Sequence, residues 1–153
     1  MANGLPALPQ IQSRGGNPCR DNRCSACCHD IEMLLTNDDL ARLKLARPDM
    51  DFHFEADDGF LQLKTRDGPP ATGGAGRPCV FLHADGSCSV HDIRPEGCRV
   101  YPAVWDESLR GAELDDMYCP HTDNFVLDDG VAGAAKRLAA RLLAERRARR
   151  SGR

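Results

Sequence analysis

Four stretches of this chain place apolar and polar residues in a regular register. At 37–46, Leu40, Leu43 and Leu45 or Ala46 recur at roughly helical spacing. They follow Thr36-Asn37-Asp38-Asp39, a capping residue with an acidic residue three positions on, and Pro48 stops the run. This predicts a helix over 37–46. At 52–54 and 60–63 apolar and polar residues alternate around Asp58-Gly59, which predicts a hairpin. Cys79-Val80-Phe81-Leu82 and Cys88-Ser89-Val90-His91 flank Ala84-Asp85-Gly86 and predict a second hairpin, each arm beginning with a cysteine. From Val131 onward, Ala134, Leu138 and Leu142 keep helical spacing with Leu143 alongside, predicting an amphipathic helix of about 15–20 residues. The apolar run at 31–35 suits a buried strand or an extended segment, and Arg94-Pro95 marks a turn or single helical turn over 93–98. The fold class expected is α+β: short hairpins, one capped helix near 37–46 and a C-terminal amphipathic helix.

At 153 residues the chain has room for one domain. Residues 1–18 are rich in Pro and Gly and predict a flexible N-terminal arm. Residues 19–130 hold every cysteine, and 131–153 form a basic helix and tail. Between the two cysteine clusters, 67–78 has four Gly, three Pro and no large apolar residue, so it reads as a flexible, shortenable loop. Charge is uneven. The last 18 residues carry eight basic side chains and one acidic, a net +7, which leaves −10 for the rest of a chain of total charge −3. Such a helix suits an acidic body, with its end frayed beyond Arg146 and dispensable over 145–153. Completion of the core is the first reading, and recruitment of an acidic protein partner or nucleic acid the second.

With only one Trp, two Tyr and five Phe, the core gains from metal cross-links. The eight cysteines fall in two groups, Cys19-x4-Cys24-x2-Cys27-Cys28 and the looser Cys79, Cys88, Cys98 and Cys119. Thiolates select zinc, copper(I) or iron–sulfur clusters, and four of them complete a tetrahedral zinc site or hold one 4Fe–4S cluster. Four disulfides are the rival arrangement. No apolar signal region precedes the cysteines and no apolar run is long enough to span a bilayer. The expectation is a cytoplasmic protein without membrane contact, in a compartment that keeps thiols reduced.

Over 19–102 the chain resembles the YkgJ-type cysteine-cluster family, a zinc- or iron-chelating domain with many members labelled iron–sulfur proteins. The residues that carry the likeness are Cys24-Ser25-Ala26-Cys27-Cys28, Cys79-Val80-Phe81-Leu82, Gly86-Ser87-Cys88-Ser89-Val90-His91 and Arg94-Pro95-Glu96-Gly97-Cys98-Arg99-Val100-Tyr101-Pro102. Two positions depart from the pattern. Asp21 stands where the first cysteine belongs, and Val90-His91 replaces an Ile-Tyr pair. The resemblance implies Cys79, Cys88 and Cys98 as ligands, and the C-x2-C spacing independently favours Cys24 and Cys27. The side chain of Cys28 should point away from that of Cys27, to a second site or into the core. For Cys19 and Cys119, ligand and structural thiol are equal readings, although Cys119-Pro120 resembles the end of an iron–sulfur ligand run.

His29 and His91 read first as surface groups or hydrogen-bond partners of a cluster and second as ligands of zinc or a cluster iron, and His53, His83 and His121 read as surface residues. Arg94 and Arg99 flank Cys98 and would temper thiolate charge. Tyr101-Pro102 reads as packing, and the acidic pairs as solvated caps and turns. Three functions stay open. One is a module holding a 4Fe–4S cluster or zinc, in electron transfer or maturation, where the lack of a zinc-ribbon double C-x2-C tilts the metal toward iron–sulfur. Another is a zinc-stabilised interaction domain. The third is a protein-modifying enzyme related to flagellin lysine N-methylases, although no Gly-rich methyl-donor loop is visible.

Overall fold

The structure, a computed structural model, describes residues 10–15 and 18–152. Its strands are β1 (Gln12–Ser13), β2 (Leu34–Leu35), β3 (His53–Glu55), β4 (Leu61–Leu63), β5 (Ala103–Asp106), β6 (Gly111–Leu114) and β7 (Phe125–Val126). Its α-helices are α1 (Pro18–Asp21), α2 (Asn37–Ala46), α3 (Glu96–Val100) and α4 (Asp129–Ser151). The strands form three small antiparallel sheets, β1–β7, β2–β4–β3 and β5–β6, so the fold class is α+β.

Helix α2 and its cap appear as the sequence predicts. The Thr36 hydroxyl accepts the Asp39 N–H, and the Asp39 carboxylate accepts the Thr36 N–H, both at 3.0 Å. The predicted 52–63 hairpin is β3–β4, and β2 joins it from the 31–35 run. One face of this sheet packs with Leu43, Phe52, Phe81 and Val90 into the main apolar core, against which Cys79, Cys88 and Cys98 also lie.

The second predicted hairpin takes another form. Cys79-Val80-Phe81-Leu82 and Cys88-Ser89-Val90-His91 are turns joined by a single β-bridge, Leu82 to Cys88. Two backbone bonds flank that bridge, Ser89 N–H to the Phe81 carbonyl and His83 N–H to the Ser87 carbonyl, both at 2.8 Å, and arginines satisfy neighbouring carbonyls. Arg66 donates to the Leu82 carbonyl at 2.9 Å, Arg47 to that of Ser89 at 3.1 Å, and Arg42 to those of Ile93 and Arg94 at 3.2 and 3.0 Å. Side-chain donors satisfy these carbonyls, which frees the backbone to turn its thiols inward.

The expected arm at 1–18 lies largely outside the described residues. Its described part is tied down: Ile11 is buried with Ala103 and Val131, and β1 pairs with β7.

The 67–78 segment corrects the expectation of a loose loop. Ser25 donates through its backbone to Gly73 at 3.1 Å and through its hydroxyl to the Thr72 carbonyl at 2.7 Å. Asp30 and Arg77 exchange two bonds at 2.9 and 2.8 Å. His29, expected at the surface, is buried. Its Nε2 accepts the Ala71 N–H at 3.0 Å, so its Nδ1–H faces the Ser25 carbonyl at 2.9 Å. These bonds join polar side chains and backbone groups to backbone, which hydropathy cannot register. Removing two residues from 71–76 is therefore expected to cost about 3 kcal/mol, some three hydrogen bonds at about 1 kcal/mol each. A thermal melt indistinguishable from that of the intact chain would contradict this.

Helix α4 is longer than expected, 23 residues, and does not end at Arg146. Its start packs Val131, Ala134 and Ala135 inward, and Leu142 is buried further along. Its end clasps the body. Glu145 accepts the Asn37 N–H at the start of α2 at 2.9 Å, and Arg149 reaches the Asn37 side chain at 2.9 Å. Arg150 donates to the Asp57 carbonyl at 3.2 Å, and Arg146 lies 4.6 Å over the Phe60 ring. The expectation of fraying beyond Arg146 is thus corrected. Deleting 145–153 removes a helix-capping acceptor and this clasp. We expect a loss of about 1–2 kcal/mol, a fall of roughly 2–8 °C in Tm. An unchanged melting curve would show that the clasp carries no stability.

Candidate metal centre

All eight cysteines remain as thiols, one buried and seven half-buried. The first cluster sits on α1 and the turn that follows it. Pro18 opens α1, and the chain reverses so that the Cys24 N–H bonds to the Cys19 carbonyl at 2.7 Å. The 26–28 turn is a single 3-10 turn over Ala26, Cys27 and Cys28. The Cys79 N–H then donates to the Cys28 carbonyl at 2.7 Å, which sets the second cluster beside the first. Cys98 stands on α3. Cys119 lies buried in the segment between β6 and β7, and the β7–β1 pairing returns that segment to the chain's beginning.

Asp39 holds α3 in place. Its side chain is fully buried and accepts from Thr36 N–H, Glu96 N–H at 3.1 Å and Arg42 at 2.7 Å. The expectation of a solvated acidic cap is corrected here, because the carboxylate bridges the start of α2 to the start of α3. Only the sequence spacing of a capping box announced it, and that spacing says nothing about the Glu96 end.

The thiols sense one another. Burial above all, then the Cys28, Cys79 and Cys88 sulfurs, push the Cys98 thiol well up. Burial raises Cys79 to about 12 and Cys19 to about 11, and Cys88 and Cys119 also upward. The Cys27 thiol donates a hydrogen bond to Cys28, which raises Cys27 and lowers Cys28. That contact corrects the expectation that the two adjacent side chains diverge.

Opposing donors point at three of the sulfurs. The N–H of Phe81 faces Cys79, that of Val90 faces Cys88, and that of His121 faces Cys119, each two residues on. Such N–H groups stabilise the charged thiolate, the form that binds metal. Arg66 lies near Cys79, and Arg94 near both Cys19 and Cys88. Arg94 also donates to the His91 carbonyl at 2.7 Å. Arg99 makes no ion pair with a carboxylate among the described residues, and its Nε is buried without a hydrogen-bond partner. The Tyr101 hydroxyl donates to Asp115 at 2.9 Å, a structural role.

Structure thus gathers the thiols of both clusters, including Cys19 and Cys119. Among the described residues, no group of three or more His, Cys, Asp or Glu side chains is placed to hold a metal ion. The donor chemistry nonetheless fits zinc or iron–sulfur, being all thiol with N–H donors aimed at sulfur.

A protein built this way is a cysteine-rich chelating domain. The model of the CxxCxxCC family, described as a "putative zinc- or iron-chelating domain", matches residues 18–122, and the chain belongs to that family. Comparison with curated proteins gave no match, and neither did comparison with solved structures. Among the described residues, no helix is long and apolar enough to cross a membrane.

Proposed function

We propose that this chain is a cytoplasmic module that holds an iron–sulfur cluster through Cys24, Cys27, Cys28, Cys79, Cys88, Cys98, Cys19 and Cys119, in electron transfer or cofactor maturation. One observation carries the reading. Thiols of two clusters distant in sequence act on one another, Cys28 on Cys79, Cys88 and Cys98 and Cys119 on Cys19, and three of the sulfurs face backbone N–H donors. Hydrogen bonds to sulfur are a principal means by which proteins set cluster potentials. The lack of a double C-x2-C pair and the Cys119-Pro120 dipeptide favour iron–sulfur over zinc. Bound there, a cluster would supply one-electron chemistry. The chain's own contribution is to bury the thiols and direct N–H groups and arginines at them. Zinc is the second reading, supported by the same donor set and by the family's description.

Anaerobic purification followed by iron, sulfide and zinc analysis decides between them. A brown protein absorbing near ~400 nm is the expected result. A colourless protein with stoichiometric zinc supports the second reading. Protein that takes up neither metal, even on reconstitution, would refute both.

A further inference from the structure

The cysteines are not one undivided pool. We propose that they form two adjoining four-thiol centres, Cys19, Cys24, Cys27 and Cys119 in one and Cys28, Cys79, Cys88 and Cys98 in the other, each suited to one zinc ion or one iron–sulfur cubane. The inference rests on the metal-binding reading above and adds its stoichiometry and ligand sets.

Backbone geometry draws the line first. Cys19 and Cys24 are tied by the 2.7 Å bond that closes the turn after α1. Cys119 reaches them because β7, six residues further on, pairs with β1. On the other side, Cys28 and Cys79 are tied by a second 2.7 Å backbone bond, Cys88 is bridged to Leu82, and Cys79, Cys88 and Cys98 lie against the same apolar core.

Side-chain neighbours agree with this division. Cys119 feels Cys24, and Cys19 feels both Cys24 and Cys119. Cys27 feels Cys19, and Tyr101 feels both Cys27 and Cys119, which sets Cys27 with that group. Cys98 feels Cys28, Cys79 and Cys88, and Cys79 feels Cys28 and Cys88. Across the line, the Cys27 thiol hydrogen-bonds Cys28. Cys27 also feels Cys98, and Cys19 feels Cys28. The adjacent pair is therefore the shared border, one residue serving each side.

Two four-thiolate centres side by side repel, since zinc with four thiolates carries about −2. Arg94 acts on a thiol of each group, Cys19 and Cys88, and so supplies positive charge between them.

The test uses the full reduced chain and zinc as the probe. The chain is loaded with one or two equivalents, alkylated, and mapped by mass spectrometry. Two equivalents are expected to shield all eight thiols. At one equivalent, molecules with four labelled thiols are expected to carry the label on one complete set. Labels mixed between the sets would overturn the division, and so would saturation at one equivalent. Either result leaves metal binding itself intact. No shielding by zinc, together with no cluster from ferrous iron and sulfide, would instead overturn the functional reading and this inference with it.

A second measurement uses metal content of the variants. Cys119→Ser and Cys88→Ser should each halve capacity, and together abolish it. Cys19→Ser with Cys119→Ser, both in one set, should still leave half. Complete loss from that same-set pair would count against two centres.

Discussion

Cys98→Ser is expected to lose about half of the bound metal and, with it, much of the fold's stability. Binding energy at a structural thiolate site is of order 10–16 kcal/mol for zinc, and it counts as folding energy. A domain of this size has total stability of about 5–15 kcal/mol, so a crippled centre consumes much or all of it. Cys98 is the most severe single position because its thiol feels three others and its helix is anchored on both sides. Serine is nearly isosteric but is a poor ligand for soft metals. Metal analysis and thermal denaturation of the purified variant provide the check. Full metal content with an unchanged melt would remove Cys98 from the ligand set.

Asp39→Ala should be nearly as damaging, although Asp39 touches no metal. The fully buried carboxylate accepts from two backbone N–H groups and from Arg42. Truncating it takes the carboxylate from Arg42, which keeps only the Ile93 and Arg94 carbonyls, and leaves the Thr36 and Glu96 N–H groups without that acceptor. Breaking a buried pair in this way costs about 3–5 kcal/mol. Asp39→Asn keeps one acceptor oxygen and should lose less. Because Glu96 opens the helix that carries Cys98, metal affinity should weaken alongside stability. Urea denaturation reads the first effect and competition with a chelator the second. A stability loss below about 1 kcal/mol would show that the bridge is not what holds α3.

The parts of this protein legible in its sequence are those written locally. Thr36 and Asp39 are three residues apart, so the α2 cap could be read directly. Alternation around Asp58-Gly59 revealed β3–β4, and the spacing from Val131 onward revealed α4. The rest depends on partners distant in sequence. Cys19 and Cys119 carried no local sign of kinship, and the pairing that unites them is only two residues long in each strand. The hairpin expected at 79–91 is present only as its tip, one Leu82–Cys88 bridge flanked by two backbone bonds, and Arg66 and Arg47 take the Leu82 and Ser89 carbonyls beside it. The β5–β6 hairpin was overlooked because Ala103, Asp106, Gly111 and Ala112 are weak strand formers. The α4 clasp went unread because its arginines bind backbone carbonyls and an asparagine, which no charge count records.

The docked 67–78 segment also bears on where this protein can be altered. Gly73 has φ +87°, and any side chain there would drive into the Arg23 carbonyl, while one at Gly74 would strike the His29 ring. A stretch of glycine and proline is where an experimenter would place a tag, a fluorophore or a spliced-in peptide, and where drift between relatives would be forgiven. Here such an insertion would land against the turn that carries Cys24, Cys27 and Cys28. The safer graft point is the β5–β6 turn at 107–110, where Leu109 is 70% exposed and the Asp106 carboxylate already closes the turn by itself.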